Sequence, residues 1–557
     1  MNPWHASRAA LFARSNGGAN MAEACLDRHV EAGRGGRLAF RFLRRDGTAQ
    51  EMTYGELAEQ SSRFANVLAG LGIRPGESVF ALLGRVPALY VAALGCLRAR
   101  IVFSALFASF GPEPVRVRLE QGRARALITT PALFERRIRP LGPLPAPLSH
   151  VILVDAPGES SDFATLCAGA SSRFAVPETA PEDPALLHFT SGTTGEPKGL
   201  VHVHDAIVAH HATARFALGL ASGDSYWCTA DPGWVTGISY GLLAPLSLGA
   251  ASIVDEGDFD PARWYGILSR ERIAVWYTAP TAIRMLMKAG AGLARGFDLS
   301  ALRHAASVGE PLNAAAVHWS REALGRPIHD TWWQSETGAI MIANPAGEDV
   351  RPGSTGRALP GVEAAVVRRA GGNVEALGPG EDGELALRPG WPSMFRGCLG
   401  DDEAYRRCFA GGWYLSGDLV RRDAEGWFWF IGRADDVIQS AGHRIGPFEI
   451  ESALMEHPAV AEAGVIGRPD PLIGEAVKAF VTVRDGFASG EALRRELLAF
   501  ARRRLGAVIA PREIAFSTSL PKTRSGKIMR RLLVARETGA AEGDLSALEP
   551  EPGQGAP

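Results

Sequence analysis

From Thr53 onward the sequence alternates between two hydrophobic periods. YGELAEQSSRFANVLAGLGI spaces its apolar residues three and four apart, and the next segment, SVFALLG, is a short continuous apolar run. Another helical stretch then leads to ARALITT and SHVILVD. Helices between short, wholly apolar strands are the pattern of βαβ units, because a parallel strand needs a crossover and is covered on both faces. The rhythm continues through ASIVDEG, IAVWYTAP and LRHAASVGE. It predicts an α/β fold with parallel sheets. Residues 355–388 are strand-rich with Gly/Pro turns and predict a small β-subdomain.

A second organisation starts near Gly432. The loop RADDVIQSAGHRIGP leads into a helix, FEIESALMEH, and two strands, AEAGVIGRPD and EAVKAFVTVRD, before the helix EALRRELLAFARRRL and a basic loop. The chain has 557 residues, more than one core usually supports, so two domains are expected: 1–432 and a mobile α+β domain at 433–541. Residues 542–557, rich in Gly, Pro and Glu, are expected to be a disordered tail.

The net charge of -2 offers no field of one sign for nucleic acid or an anionic membrane, so neither is an expected partner. The most apolar stretch, around Tyr90 to Phe110, contains Arg98 and Arg100 and reads as helix then strand, not a membrane span. The start, MNPWHASRAALFARSNGG, lacks the apolar core of a secretory signal, and the six scattered cysteines include no CxxC pair. A cytoplasmic protein is expected.

TSGTTGEPKG, Thr190 to Gly199, is a phosphate-cradling composition: glycines let backbone approach an anion, and hydroxyls and N–H groups supply donors without bulk. It is not the GxxxxGK[ST] loop. HVH at His202 to His204 and HH at His210 to His211 lack further ligands at zinc spacing.

The complete ten-residue string resembles the phosphate loop of the adenylate-forming superfamily, which includes acyl-CoA synthetases. Further segments follow in that family's order: GEP at Gly309, DTWWQSETG at Asp330, GGWYLSGD ending in Asp418, GRADD at Gly432, SAGHRIGPFEIE, and PKTRSGKIMRR containing Lys527. The resemblance runs from about Thr53 to Arg531. It implies that ATP is held by Thr190, Ser191, Gly192, Thr193, Thr194, Gly195 and Lys198 at the phosphates, by Gly309, Glu310, Pro311, Asp330, Thr331, Trp332, Gln334 and Ser335 around the adenine, and by Asp418 at the ribose. Arg433 and Arg444 would contact phosphate, and Mg²⁺ would bind through Glu336. Lys527 would be catalytic, and Asp435 the hinge. Ala441, Gly442 and Arg502 would meet CoA, and a second cation would sit on the segment of Met455, His457 and Val460.

Within that superfamily YWCTADPGWVTGISYG, SVGEPLN, DTWWQSETG and LPKTRSGKIMRR resemble acetate-activating members most. Trp333 would floor the acyl pocket, with Trp234, Val235, Thr236 and Val308 as walls. The implied reaction joins acetate, ATP and CoA, with propionate or another short acid as the alternative substrate. A carrier-loading adenylation module or a nucleotide-binding protein without catalysis is disfavoured, since Glu336, Asp418 and Lys527 are all present. The basic setting of Lys527 also suggests an acetyltransferase and a deacetylase as partners.

Overall fold

The first helical pattern folds as Tyr54–Gly70, started by a reciprocal cap in which Thr53 and Glu56 each satisfy a backbone N–H of the other. Its apolar face, with Leu57, Phe64, Ala65 and Leu68, is fully buried, and the strand Ser78–Leu82 follows. Helix Pro87–Arg98 and strand Val102–Leu106 occupy the long apolar stretch, as its two arginines imply. The computed structural model describes all residues except 1, 14–17, 192–196, 371–372, 441–442, 524–526, 543–544, 546–547 and 549–557. Most of the expected tail therefore lies outside the described residues.

Among the described residues the strands form sheets of nine, seven, six and five strands. In the nine-stranded sheet Ile328–Trp332, His304–Ser307, Val275–Thr278, Ser225–Cys228, Ala251–Asp255 and Leu38–Leu43 run parallel, with antiparallel strands at both edges. The seven-stranded sheet has a parallel centre of Pro184–Ser191, Val102–Leu106, Ser78–Leu82, Ala124–Thr129 and His150–Leu153. These two sheets are the parallel fold that the alternation predicts.

The β-subdomain is larger than residues 355–388, because Trp413–Arg422 and Phe428–Arg433 complete its antiparallel sheet. Strand Phe428–Arg433 carries Arg433, which pairs with Asp418 across the ladder. A turn at 434–436 then leads to the C-terminal sheet, in which Val460–Asp470 and Gly474–Val483 form a long hairpin. The expected loop between the turn and helix Pro447–Met455 contains two three-residue strands, Ile438–Ser440 and His443–Ile445, too short to carry a period. Among the described residues no helix is long and apolar enough to cross a membrane.

The β-subdomain docks on the edge of the nine-stranded sheet at Gly356, whose carbonyl accepts from Phe428 N at 2.7 Å. Gly356 has φ +110, and a Cβ there would lie 1.9 Å from the Ala343 carbonyl carbon. Backbone meets backbone at this crossing, so no side chain can yield. Gly356→Ala is expected to destabilise the protein by about 2 kcal/mol or more, since strain and overpacking add. A urea midpoint within error of the parent protein would contradict the tight crossing.

Candidate active site

Three parallel strands, Val275–Thr278, His304–Ser307 and Ile328–Trp332, end side by side, and ligands of open α/β sheets bind outside such carboxyl ends. Gly309 to Pro311 and Trp333 to Gln334 leave the sheet here and line a cleft of about 180 Å³ with Thr331, Trp332, Asp418, Arg433 and Lys527. Asp330 is buried beneath them, accepting from Ser307 Oγ at 2.8 Å, Thr331 N at 3.0 Å and Leu312 N at 3.2 Å. Burial raises its pKa to about 7 against those hydrogen bonds. Its oxygens thus pin the loop containing Gly309 and Glu310. Gly309 has φ +96, and a Cβ there would strike the Trp234 ring at 2.4 Å, so the glycine lets the indole lie against the loop.

Asp418 forms the opposite wall. Its Oδ2 accepts from Trp332 Nε1 at 2.8 Å and Gln334 Nε2 at 3.0 Å, and its Oδ1 lies 3.1 Å from Arg433 Nη1. Tyr414 OH donates to Gln334 Oε1 at 2.7 Å and fixes the amide. Desolvation raises the pKa of Asp418, while Arg433, Trp332 and Lys527 hold it down. Glu336, half-buried near Arg433 and Lys198, is likewise raised by desolvation and lowered by those two cations. Ser335 precedes it, also half-buried.

The phosphate-loop sequence is the connection of an antiparallel hairpin in which Thr190 faces Lys198 and Ser191 faces Pro197. Gly192, Thr193, Thr194 and Gly195 lie outside the described residues. Lys527 is exposed to the solvent of the cleft but enclosed by its walls. Desolvation and the nearby Arg433 lower its pKa, with Asp418 and Asp436 acting against them. Thr523 brackets its backbone, donating N–H to Lys527 O at 2.7 Å and accepting from Lys527 N at 3.1 Å.

The C-terminal domain is held over the cleft by a charge network that the sequence does not reveal. Arg284 lies 2.7 Å from Glu310 and 3.6 Å from Glu462 of the C-terminal hairpin, and Glu462 pairs with Lys522 at 2.6 Å. Asn313 also reaches across, its Nδ2 3.3 Å from Met455 Sδ. Arg530 joins Glu451 at 2.7 Å and Asp436, in the turn, at 3.1 Å.

Behind the cleft Val235, Val308 and Trp333 share one apolar cluster with Tyr240 and Tyr277, and Trp234 packs against it. Trp333 Nε1 donates to Tyr277 OH at 3.1 Å, Tyr277 OH meets Thr331 Oγ1 at 2.8 Å, and Tyr240 meets the indole edge-on at 5.2 Å. Trp333 is therefore locked. Thr236 is fully buried, and its Oγ1 has no hydrogen-bond partner among the described residues.

Other expected residues lie apart from this cleft. Arg502 is exposed on the last turn of helix Glu491–Leu505. His457 bonds Glu496 at 3.2 Å and accepts from Ala459 N, while the carbonyls of His457 and Val460 accept from Val460 N and Arg484 Nε. Asp435 lies in the exposed turn, 3.6 Å from Arg433. Ala441, Gly442 and the side chain of Arg444 fall outside the described residues. His202, His210 and His211 bond Ser393 O, Gly338 O and Ser7 Oγ, and His204 accepts from Met21 N. Among the described residues no group of three or more His, Cys, Asp or Glu is arranged to hold a metal.

Residues 26–399 match the family model of the AMP-binding enzyme, and residues 449–527 match that of the AMP-binding enzyme C-terminal domain. The chain is 45% identical to the acetyl-coenzyme A synthetase of Bacillus subtilis, covering 95% of this chain and 92% of the relative. Among solved structures it superposes on an acyl-CoA synthetase of Brucella canis with TM-score 0.74 and 38% identity, covering 96% of this chain and 97% of that one. An anthranilate CoA ligase in complex with anthranoyl-AMP superposes with TM-score 0.86 at 29% identity, covering 96% and 99%. Both parallel sheets, the antiparallel subdomain and the C-terminal hairpin domain are thus those of a known architecture, and the chain belongs to the AMP-binding enzyme family of the adenylate-forming superfamily.

Proposed function

We propose that the chain joins acetate to CoA at the expense of ATP, forming acetyl-adenylate and pyrophosphate, then acetyl-CoA and AMP. The observation that carries this reading is the locked indole of Trp333 behind a cleft containing Asp418, Arg433 and Lys527. A carboxylate must be activated before a thiol can displace its oxygen. In the first step a carboxylate oxygen attacks the α-phosphorus and the bond to pyrophosphate breaks. In the second the CoA sulfur attacks the carbonyl carbon, AMP leaves and the thiol proton passes to solvent.

Negative charge gathers on the phosphoryl oxygens in the first step, so donors and cations are needed there. Lys527 draws the carboxylate and the α-phosphate together, while Arg433 offers a planar fork. Asp418 accepts from the ribose hydroxyls, and Thr190 and Lys198 reach the outer phosphates. Glu336 is the carboxylate that would hold Mg²⁺, which would neutralise phosphate charge when bound. Thioester formation then needs the C-terminal domain to turn about Asp435 and withdraw Lys527, bringing the segment of Ala441 and Gly442 to CoA. The reaction uses soluble substrates and fits a cytoplasmic enzyme. Acetylation of Lys527 removes its charge and would silence the first step.

Pyrophosphate release with ATP, CoA and acids from acetate to octanoate tests the reading: acetate is expected to be used best, propionate less and butyrate little. Activity confined to long or aromatic acids would overturn it. In Trp333→Gly the range is expected to extend to four- to eight-carbon acids while acetate suffers. Tyr277→Phe, which removes only the hydroxyl holding the indole, should broaden the range less. A chain-length profile of kcat/KM that is unchanged in both variants would make Trp333 mere core.

The half-reactions separate the domains. Lys527→Ala is expected to abolish acetate-dependent exchange between ATP and pyrophosphate yet spare thioester formation from supplied acetyl-adenylate and CoA. Arg284→Ala cuts the charge network between Glu310 and Glu462 and should slow the same first step by about tenfold, roughly the worth of one buried charged contact. Equal losses in both half-reactions would contradict the assignment of this closure to adenylation.

A further inference from the structure

Helix Ala206–Ala217 serves two places. His210 bonds Gly338 O beside the active-site segment, whereas His211 lines a separate recess of about 270 Å³ with Arg28, His29, Arg34, Arg215 and Ser222. No carboxylate lines this recess among the described residues, and residues 14–17, which are not described, are Arg, Ser, Asn and Gly. Asp224 is close by in the fold, but its oxygens are taken by Ala221 N at 2.7 Å and by Arg303 at 2.6 Å. Arg28 is bonded to the carbonyls of Ala24, Ala10 and Ser247, so it contributes charge more than free donors. Arg37 adds a further positive charge through its 3.2 Å bond to Ser222 Oγ. Among the described residues Arg34 and Arg215 form no ion pair and Arg34 Nε is buried without a partner.

His29 supplies the second, independent sign of a ligand. It is 1% exposed, and its Nε2 donates to Leu246 O at 2.9 Å, which leaves Nδ1 as a buried lone pair with no partner among the described residues. Burial and the surrounding arginines press the pKa values of His29 and His211 to about 3, so both rings are neutral at physiological pH. Converging guanidinium groups without a counter-charge repel one another, and an oxyanion relieves that repulsion while using their planar forks. A lone pair asks for a donor instead. Hydrogen phosphate offers both, because it keeps one P–O–H at neutral pH, whereas sulfate has none.

We propose that this recess binds hydrogen phosphate, with Arg34 and Arg215 donating to its oxygens and His29 Nδ1 accepting from its hydroxyl. The recess is separate from the nucleotide cleft, so the proposal stands independently of the acid activated there. Equilibrium dialysis of radiolabelled inorganic phosphate against the full chain tests it, with saturating AMP to occupy the cleft. One phosphate per chain is expected. The double variant Arg34→Ala/Arg215→Ala should weaken binding by about tenfold or more, and sulfate should compete about tenfold less well than phosphate, as one lost hydrogen bond implies. Both arginines reach solvent, so the variant is expected to keep the fold; His29→Phe should erase the preference over sulfate. Absent binding in the AMP-saturated protein, unchanged affinity in the double variant, or equal competition by sulfate would each overturn the proposal.

Discussion

One buried carboxylate joins the parts of this molecule that the reaction needs together. Asp418 belongs to the β-subdomain, yet Trp332 and Gln334 reach it from the end of the parallel sheet, while Arg433 comes from the neighbouring subdomain strand that leads to the C-terminal domain. A charge in that position is costly unless every lone pair is used, and removing a partner leaves the remainder uncompensated. The subdomain, the sheet and the start of the turn are therefore registered to one another by one group. Gly356 fixes the same docking sterically, where backbone lies against backbone.

The C-terminal domain is held differently. The domain meets the cleft through Arg284 with Glu462, Asn313 with Met455, and the edge-on pair of Phe430 and Phe448 at 5.5 Å, whereas its own sheet and helices bury a separate apolar core. Ionic and polar pairs can part with water taking over each group, so the Phe430–Phe448 contact is the apolar part that opening exposes. A wholly apolar closure would resist the rotation that the proposed alternation of half-reactions needs. Arg530 is the informative case: it binds Asp436 in the turn and Glu451 on the first C-terminal helix, so the turn is braced to the domain that follows it.

The sequence discloses the parts of the site whose roles lie in local backbone and spacing. The alternation from Thr53 predicts the parallel sheets, and the ordered motifs mark Gly309, Asp330, Asp418 and Lys527, which come together in the cleft. It does not disclose Arg284, Tyr240 or Tyr277. Each stands in a segment with an ordinary helical or strand pattern, and each acquires its meaning from a partner between 26 and 178 residues away. Asp330 illustrates a subtler gap. The motif associates it with the nucleotide, while its oxygens are occupied by Ser307, Thr331 and Leu312, so its effect on any ligand passes through the loop that it pins. The short strands Ile438–Ser440 and His443–Ile445 escape notice because three residues cannot display a period.

The rigidity around Trp333 bears on how a small acid can be selected at all. One methylene in an apolar pocket changes preference by only about 1–3 kcal/mol when contact alone decides, so a pocket that merely attracts acetate would also take its longer homologues. Selection has to come from refusal, and refusal requires a wall that does not yield. An indole free to change rotamer would swing aside for a fourth carbon. Here its N–H is tied to Tyr277, Tyr277 to Thr331, and its face is met by Tyr240, whose own hydroxyl is engaged by Thr213 and Ile340 N. Thr331 belongs to the strand whose next residue, Trp332, bonds Asp418. The proposed floor of the acyl pocket and the wall of the cleft are consequently one hydrogen-bonded frame, and loosening one also loosens the other. On that proposal, removing the indole is expected to cost acetate more than the lost contact alone.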